Sequence, residues 1–137
     1  MKKVGAKMMF EIRYSGVDEI ELSASRNELE QLRTALFNLM KDDLREIRFE
    51  TDNTIDPAPW ESAGQALYIG RFGNAVKVSI SVDSTLVIEG SDQNLDNFAS
   101  FLSFDETTES GEHSHFEFHE GNDYITPDSI PLIISVK

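Results

Sequence analysis

The chain has 137 residues and no cysteine, which limits it to one compact domain or two very small ones and removes disulfides, thiolate nucleophiles and cysteine-based zinc sites together. Its 39% hydrophobic and 27% charged content matches a soluble globular chain rather than a disordered one. No apolar run approaches the ~20 residues of a membrane span, and Met1-Lys2-Lys3 is followed too soon by Glu11 and Arg13 to read as a signal peptide.

Charge is the first informative quantity. With 25 Asp plus Glu against 12 Lys plus Arg, the net charge is -13, so duplex nucleic acid and anionic membranes would repel the chain. The imbalance is local: residues 83 to 137 hold 12 acids and Lys137 as their single base. Clustered like charge of this kind either steers a cationic partner toward one end of the molecule or serves solubility alone.

In chain order, Phe10, Ile12 and Tyr14 alternate with Met9, Glu11 and Arg13, predicting a strand over residues 8 to 14. A turn at Ser15-Gly16-Val17-Asp18 leads to a second strand on Ile20 and Leu22. Ser25-Arg26-Asn27-Glu28 is a capping-box pattern. It predicts a helix to about Lys41, with Leu29, Leu32, Leu36, Leu39 and Met40 on one stripe. Ile47 and Phe49 then mark a third strand.

Residues 52 to 65, which carry Pro57, Pro59 and the lone Trp60, read as loop. Strands follow at 66 to 72, 76 to 82 and 85 to 89, then a helix capped by Ser91 with Leu95, Phe98, Ala99 and Leu102 inward. Residues 105 to 112 lack any apolar side chain and predict a solvated loop. The alternation returns at His113 to His119, and Ile130 to Val136 predict a buried last strand.

The two helices align at an offset of 66, with Ser25 over Ser91, Leu29 over Leu95 and Leu36 over Leu102; Ile20 and Leu22 likewise fall over Leu86 and Ile88. With small gaps, Phe10 and Ile12 fall over Val78 and Ile80, and Ile47 and Phe49 over Phe116 and Phe118. The expectation is an α+β fold of two fused ββαββ repeats, about residues 7–72 and 75–137, within one globular domain covering 1–137. Its sheet should be mostly antiparallel, with the two helices packed on one face.

The sharpest chemical feature is His113, His115, Glu117 and His119, which share one face of the predicted strand. These four are the metal-ligand candidates. Same-face residues on a strand lie ~6.6 Å apart, so one straight strand does not converge three ligands, and a wet face opposite Phe116 and Phe118 is the preferred reading. No Gly-x-Ser-x-Gly motif, phosphate loop or nucleophile with a nameable base occurs, so no catalytic residue is assigned. Partner-binding candidates are the aromatics Trp60 and Tyr124 and the acids Asp105, Glu106, Glu109, Glu112, Glu117 and Glu120.

Leu86, Ile88, Gly90 and Ser91, the helix pattern Leu95, Phe98, Ala99 and Leu102, the His113 to Phe118 stretch and Ser129-Ile130-Pro131-Leu132 together resemble the small bacterial immunity proteins of polymorphic toxin systems, most closely immunity protein family thirty-two. The likeness covers about residues 85 to 137. It implies a cytoplasmic, cofactor-free inhibitor that occludes a cognate protein toxin, a cationic one given the acidic half. It also implies no turnover, no nucleic-acid ligand and no membrane. A homodimer stays open, as do two other readings of the residues themselves: a non-catalytic interaction or structural module, and a metal-dependent enzyme built on the histidine strand.

Overall fold

The computed structural model describes residues 6–7, 10–16, 18–51, 53–105 and 107–137. Met8 and Met9 of the first expected strand, Val17 of the first turn and the candidate Glu106 lie outside the described residues.

The described chain runs β1 (Ala6–Lys7), β2 (Glu11–Ser15), β3 (Glu19–Ala24), α1 (Arg26–Lys41), β4 (Glu46–Glu50), β5 (Ser62–Ala63), β6 (Ala66–Gly70), β7 (Lys77–Ile80), β8 (Thr85–Glu89), α2 (Asp92–Ser100), β9 (His113–Phe116) and β10 (Leu132–Val136). Local chemistry sets most of these limits. Gly16 takes a φ of 54° in the turn between β2 and β3, a region open to glycine at little cost. The Ser25 hydroxyl accepts the Glu28 N–H at 3.1 Å while the Glu28 carboxylate accepts the Ser25 N–H at 3.0 Å, the reciprocal capping box that starts α1. Ser91 caps α2 through the Asn94 N–H.

Ten strands form two five-stranded sheets, ordered β1-β4-β6-β8-β7 and β5-β2-β3-β10-β9. The class is α+β and the pairing is mostly antiparallel, as expected, but it is divided between two mixed sheets in which β3 runs parallel to β10 and β6 parallel to β8. Those two parallel seams join strands from opposite halves of the chain. The hairpin β2–β3 is extended by β10 and β9, and the hairpin β7–β8 is extended by β6 and β4.

The registers repeat between the sheets. Ile12 faces Leu22 as Val78 faces Ile88, and Tyr14 faces Ile20 as Ile80 faces Leu86. Leu132 stands between Ile20 and Phe116 as Leu67 stands between Leu86 and Phe49. This moves the expected correspondence: Ile12 matches Val78 without a gap, and Phe49 matches Phe116, two residues from the pairing that the sequence alone suggests. Strand composition alone is indifferent to a two-residue slip, since the same face stays inward.

Both sheets and both helices feed a single cluster of buried side chains. Leu29, Leu32, Leu36 and Leu39 of α1 and Leu95, Phe98 and Ala99 of α2 are inaccessible or nearly so, and edge-on pairs Phe10–Phe49 and Phe98–Phe116 fill the space between elements. Where the chain leaves β5 for β6 it changes sheets. Gly64 donates its N–H to the Ile12 carbonyl at 2.8 Å, and a Cβ there would lie 2.7 Å from the Ile12 side chain, so the crossing requires glycine.

Arg71, just after β6, closes the layer around the helix ends. Its guanidinium donates twice to the Asp92 carboxylate, at 2.7 and 2.9 Å, and to Asp43 and the Leu44 carbonyl at 3.0 and 2.8 Å. The loop after α1 is thereby tied to the first turn of α2.

Two outcomes follow from this packing. Leu36→Ala should lower unfolding stability by about 2–5 kcal/mol in urea titration, the range for an emptied leucine site. The Asp92 carboxyl is held below its ordinary 3.8 by the Arg71 hydrogen bond, so it adds stability above that value and loses the contribution as pH falls below it. Thermal melts of Arg71→Met should therefore show a shallower acid loss than those of the unsubstituted chain.

Candidate partner-binding surface

Register decides which side chains share the outer face of the second sheet. Along β2, β3, β10 and β9, Arg13 stands beside Glu21, Glu21 beside Ile133 and Ile133 beside His115; one step on, Ser135 stands beside His113. Glu11 on β2 and Glu21 on β3 are compensated. Arg13 approaches Glu11 at 3.0 Å and Glu21 at 3.9 Å, Lys137 approaches Glu11 at 3.5 Å, and Ser135 donates to Glu21 at 3.1 Å.

Toward β9 the compensation stops. Among the described residues, no Lys or Arg forms a salt bridge with Asp105, Glu109, Glu112, Glu117, Glu120 or Asp123. Asp105, Glu109, Glu112, Glu120 and Asp123 are exposed, and Glu117 is half-buried. A shallow concavity of about 360 Å³ opens between this region and the sheet, with Glu21, Ser110, His113 and Ser135 on its walls.

The acidic loop is ordered by its own polar groups. Asp105 accepts the Thr107 N–H at 3.0 Å and the Thr107 and Thr108 hydroxyls at 2.7 and 3.3 Å. Those donors, the Thr107 side chain foremost, hold the Asp105 carboxyl below its ordinary value and so keep it charged. Glu112 accepts the Glu109 N–H, and the Gly111 N–H reaches the Val136 carbonyl at 2.7 Å, seating the loop against the end of β10.

The histidine strand is shorter than its alternation suggests. β9 stops at Phe116, after which the His119 and Asn122 turn takes over: His119 N–H donates to the Asn122 side chain, and the Asn122 N–H to the His119 carbonyl, both at 3.0 Å. His113 and His115 therefore face out together, with ring centroids 5.0 Å apart, whereas Glu117 and His119 leave the strand. His115 Nδ1 lies 3.7 Å from Glu117 Oε1. Among the described residues no group of three or more His, Asp and Glu side chains is placed to hold an ion, which follows from the early end of the strand.

The two aromatic candidates have separate surroundings. Tyr124 lies over Phe101 and Phe116, at centroid distances of 6.5 and 6.1 Å, and so is part of the core's margin. Trp60 is half-buried, two residues before β5, and its N–H donates to the Pro57 carbonyl. β5 and β9 are the opposite edges of one sheet, so about 19 Å of sheet, at ~4.8 Å per strand, stands between Trp60's end and the acids. The structure gathers Asp105, Glu109, Glu112, Glu117, Glu120 and Tyr124 at one end and leaves Trp60 at the other.

What sequence reasoning missed is the compensation. Nothing in the linear order of Arg13, Glu21 and Ser135 announces that β10 lies parallel to β3, and the signal resides only in the alternation of both strands. Substituting Thr107→Val should raise the Asp105 carboxyl toward its ordinary 3.8, as read by carbon-detected NMR titration of that carboxyl.

With this surface in view, comparison with known families is informative: residues 85–137 match the family model described as Immunity protein 32. The matched segment begins at β8 and includes α2, the acidic loop, β9 and β10. No match was found among curated proteins or among solved structures.

Proposed function

We propose that this chain is an immunity protein of the kind its matched segment describes, and that it neutralises a cognate protein toxin by binding and occluding it, with no bond made or broken. The observation that carries this reading is the coincidence of two features in one stretch: the match to Immunity protein 32 covers residues 85–137, and residues 83–137 hold 12 acids against Lys137 as their single base. A cationic active-site surface is the complement of such a patch, and long-range attraction then favours encounter while the loop supplies shape.

The contact residues proposed are Asp105, Glu109, Glu112, Glu117 and Glu120, with Glu106 as their neighbour in sequence and Tyr124 holding the strand from beneath. Trp60 belongs to this surface only where a partner is wide enough to reach both edges of the sheet. The action proposed is stoichiometric, needs no metal or cofactor and takes place in the cytoplasm, where a self-directed toxin would act.

The same reading takes residues 1–137 as one domain built by duplication of a ββαββ unit. Its support is the matched order of β2, β3, α1, β4, β6 and β7, β8, α2, β9, β10, together with the repeated registers. The helix among the described residues that is longest, α1, is neither long nor apolar enough to cross a membrane.

Where a toxin domain is encoded immediately upstream of this gene, co-expression of this chain with it should restore growth. In surface-binding kinetics, raising salt from about 0.05 to about 0.5 M should slow association by roughly tenfold or more, as screening shortens the reach of the acids. The triple substitution Glu109→Gln, Glu112→Gln and Glu117→Gln should remove most of that salt dependence. A salt-independent association rate would remove the electrostatic mechanism.

A further inference from the structure

Sheet edges are where a β protein can pair with another chain, and most are shielded by short strands, lysine, proline or a covering segment. Four strands end the two sheets here: β1 and β7 in the first, β5 and β9 in the second. β1 and β5 are two residues long. β7 is covered, since the Val76 N–H donates to the Tyr124 carbonyl, the Val78 N–H to Ser129 Oγ, and the Ile130 N–H to the Val78 carbonyl.

β9 has none of these protections. It is four residues long, His113-Ser114-His115-Phe116, without lysine or proline. Its counterpart by register, β4, is not terminal, because β1 lies outside it in parallel, with Ala6 beside Phe49 and Lys7 beside Glu50. No described segment fills the matching place beside β9.

The orientation of its main chain follows from the ladder. Val136 N–H donates to the Glu112 carbonyl at 2.8 Å, and hydrogen-bonded pairs alternate in an antiparallel ladder. Ser114 and Phe116 thus bond to β10 opposite Ile134 and Leu132, and His113 and His115 turn their N–H and C=O groups outward.

We infer that the open edge of β9 is a β-augmentation site that receives an extended, lysine- or arginine-rich segment of the partner as a sixth strand of the second sheet. Main-chain hydrogen bonds to His113 and His115 supply the geometry, and the flanking Glu109, Glu112, Glu117 and Glu120 select the charge. A second copy of this chain is a poor occupant, because edge-to-edge pairing of two β9 strands sets the same acids against each other. This rests on the immunity reading for the identity of the partner, and on the edge itself for the mode of contact.

The test uses two decapeptides, one alternating lysine with valine and one alternating glutamate with valine, and reads amide hydrogen exchange at His113 and His115 by nitrogen-15 NMR. At saturation the lysine peptide should slow both amides by about tenfold or more, the glutamate peptide should not, and His115→Pro should abolish the effect while His115→Thr keeps it. Circular dichroism of the proline variant checks that it folds. Unchanged exchange with the lysine peptide, or equal slowing by both peptides, overturns the inference. Growth protection against the cognate toxin separates the two claims. Protection with unchanged exchange leaves the immunity reading standing and removes the edge; slowed exchange without protection does the reverse.

Discussion

Two parallel seams, β3 against β10 and β6 against β8, carry the architecture. Each is the centre of its sheet, and each pairs a strand from one half of the chain with a strand from the other. The inward-facing apolar side chains on them are fully buried: Ile20, Leu22, Leu132 and Ile134 on one, Leu67, Ile69, Leu86 and Ile88 on the other. Neither half therefore owns a complete sheet. The β3–β10 contacts, between residues as far apart as Ile20 and Leu132, must form before the apolar face of the second sheet is shielded, which favours slow folding. The same exchange brings the acidic end of the chain beside the N-terminal hairpin, where Arg13 and Lys137 offset Glu11 and Glu21 but not the acids beyond.

That partial compensation shapes the surface. A sheet with every carboxylate paired would be electrostatically quiet, and one with none paired would repel itself. Here Glu11 on β2 and Glu21 on β3 carry ion pairs, and among the described residues no Lys or Arg forms a salt bridge with Glu109, Glu112, Glu117 or Glu120 around β9. The Asp105 turn is kept in shape chiefly by threonine hydroxyls and a main-chain N–H group that favour the ionised form, with a weaker attraction from Arg26. Order without neutralisation leaves a preformed anionic surface, so a partner binding it pays little to arrange the loop.

Much of the local structure was legible in the sequence, because it is written in short-range chemistry. The Ser25 and Glu28 capping box began α1 as expected, Thr85 to Glu89 formed β8 with its expected ends, and the described residues of the 105 to 112 stretch are loop, exposed except for the half-buried Thr108. The failures lie in tertiary pairing and in one local turn. β5 exists because Ser62 and Ala63 dock beside Tyr14 and Arg13, although Ser-Ala has no strand signature. β9 ends at Phe116 because the Asn122 side chain captures the His119 N–H. The site was legible as a composition, acids without bases, but its extent was not: the separation of Trp60 from Glu112 depends on strand order, and strand order on parallel seams that no local pattern encodes.

The central claim is that the acidic end of the second sheet meets the toxin and blocks it. A structure of the complex with the cognate toxin domain tests this most directly. The account predicts that the loop before β9 and the outer side of β9 are buried against lysine and arginine side chains bordering the toxin's active site. An interface built instead on the outer face of the first sheet, with those acids left in solvent, would contradict it.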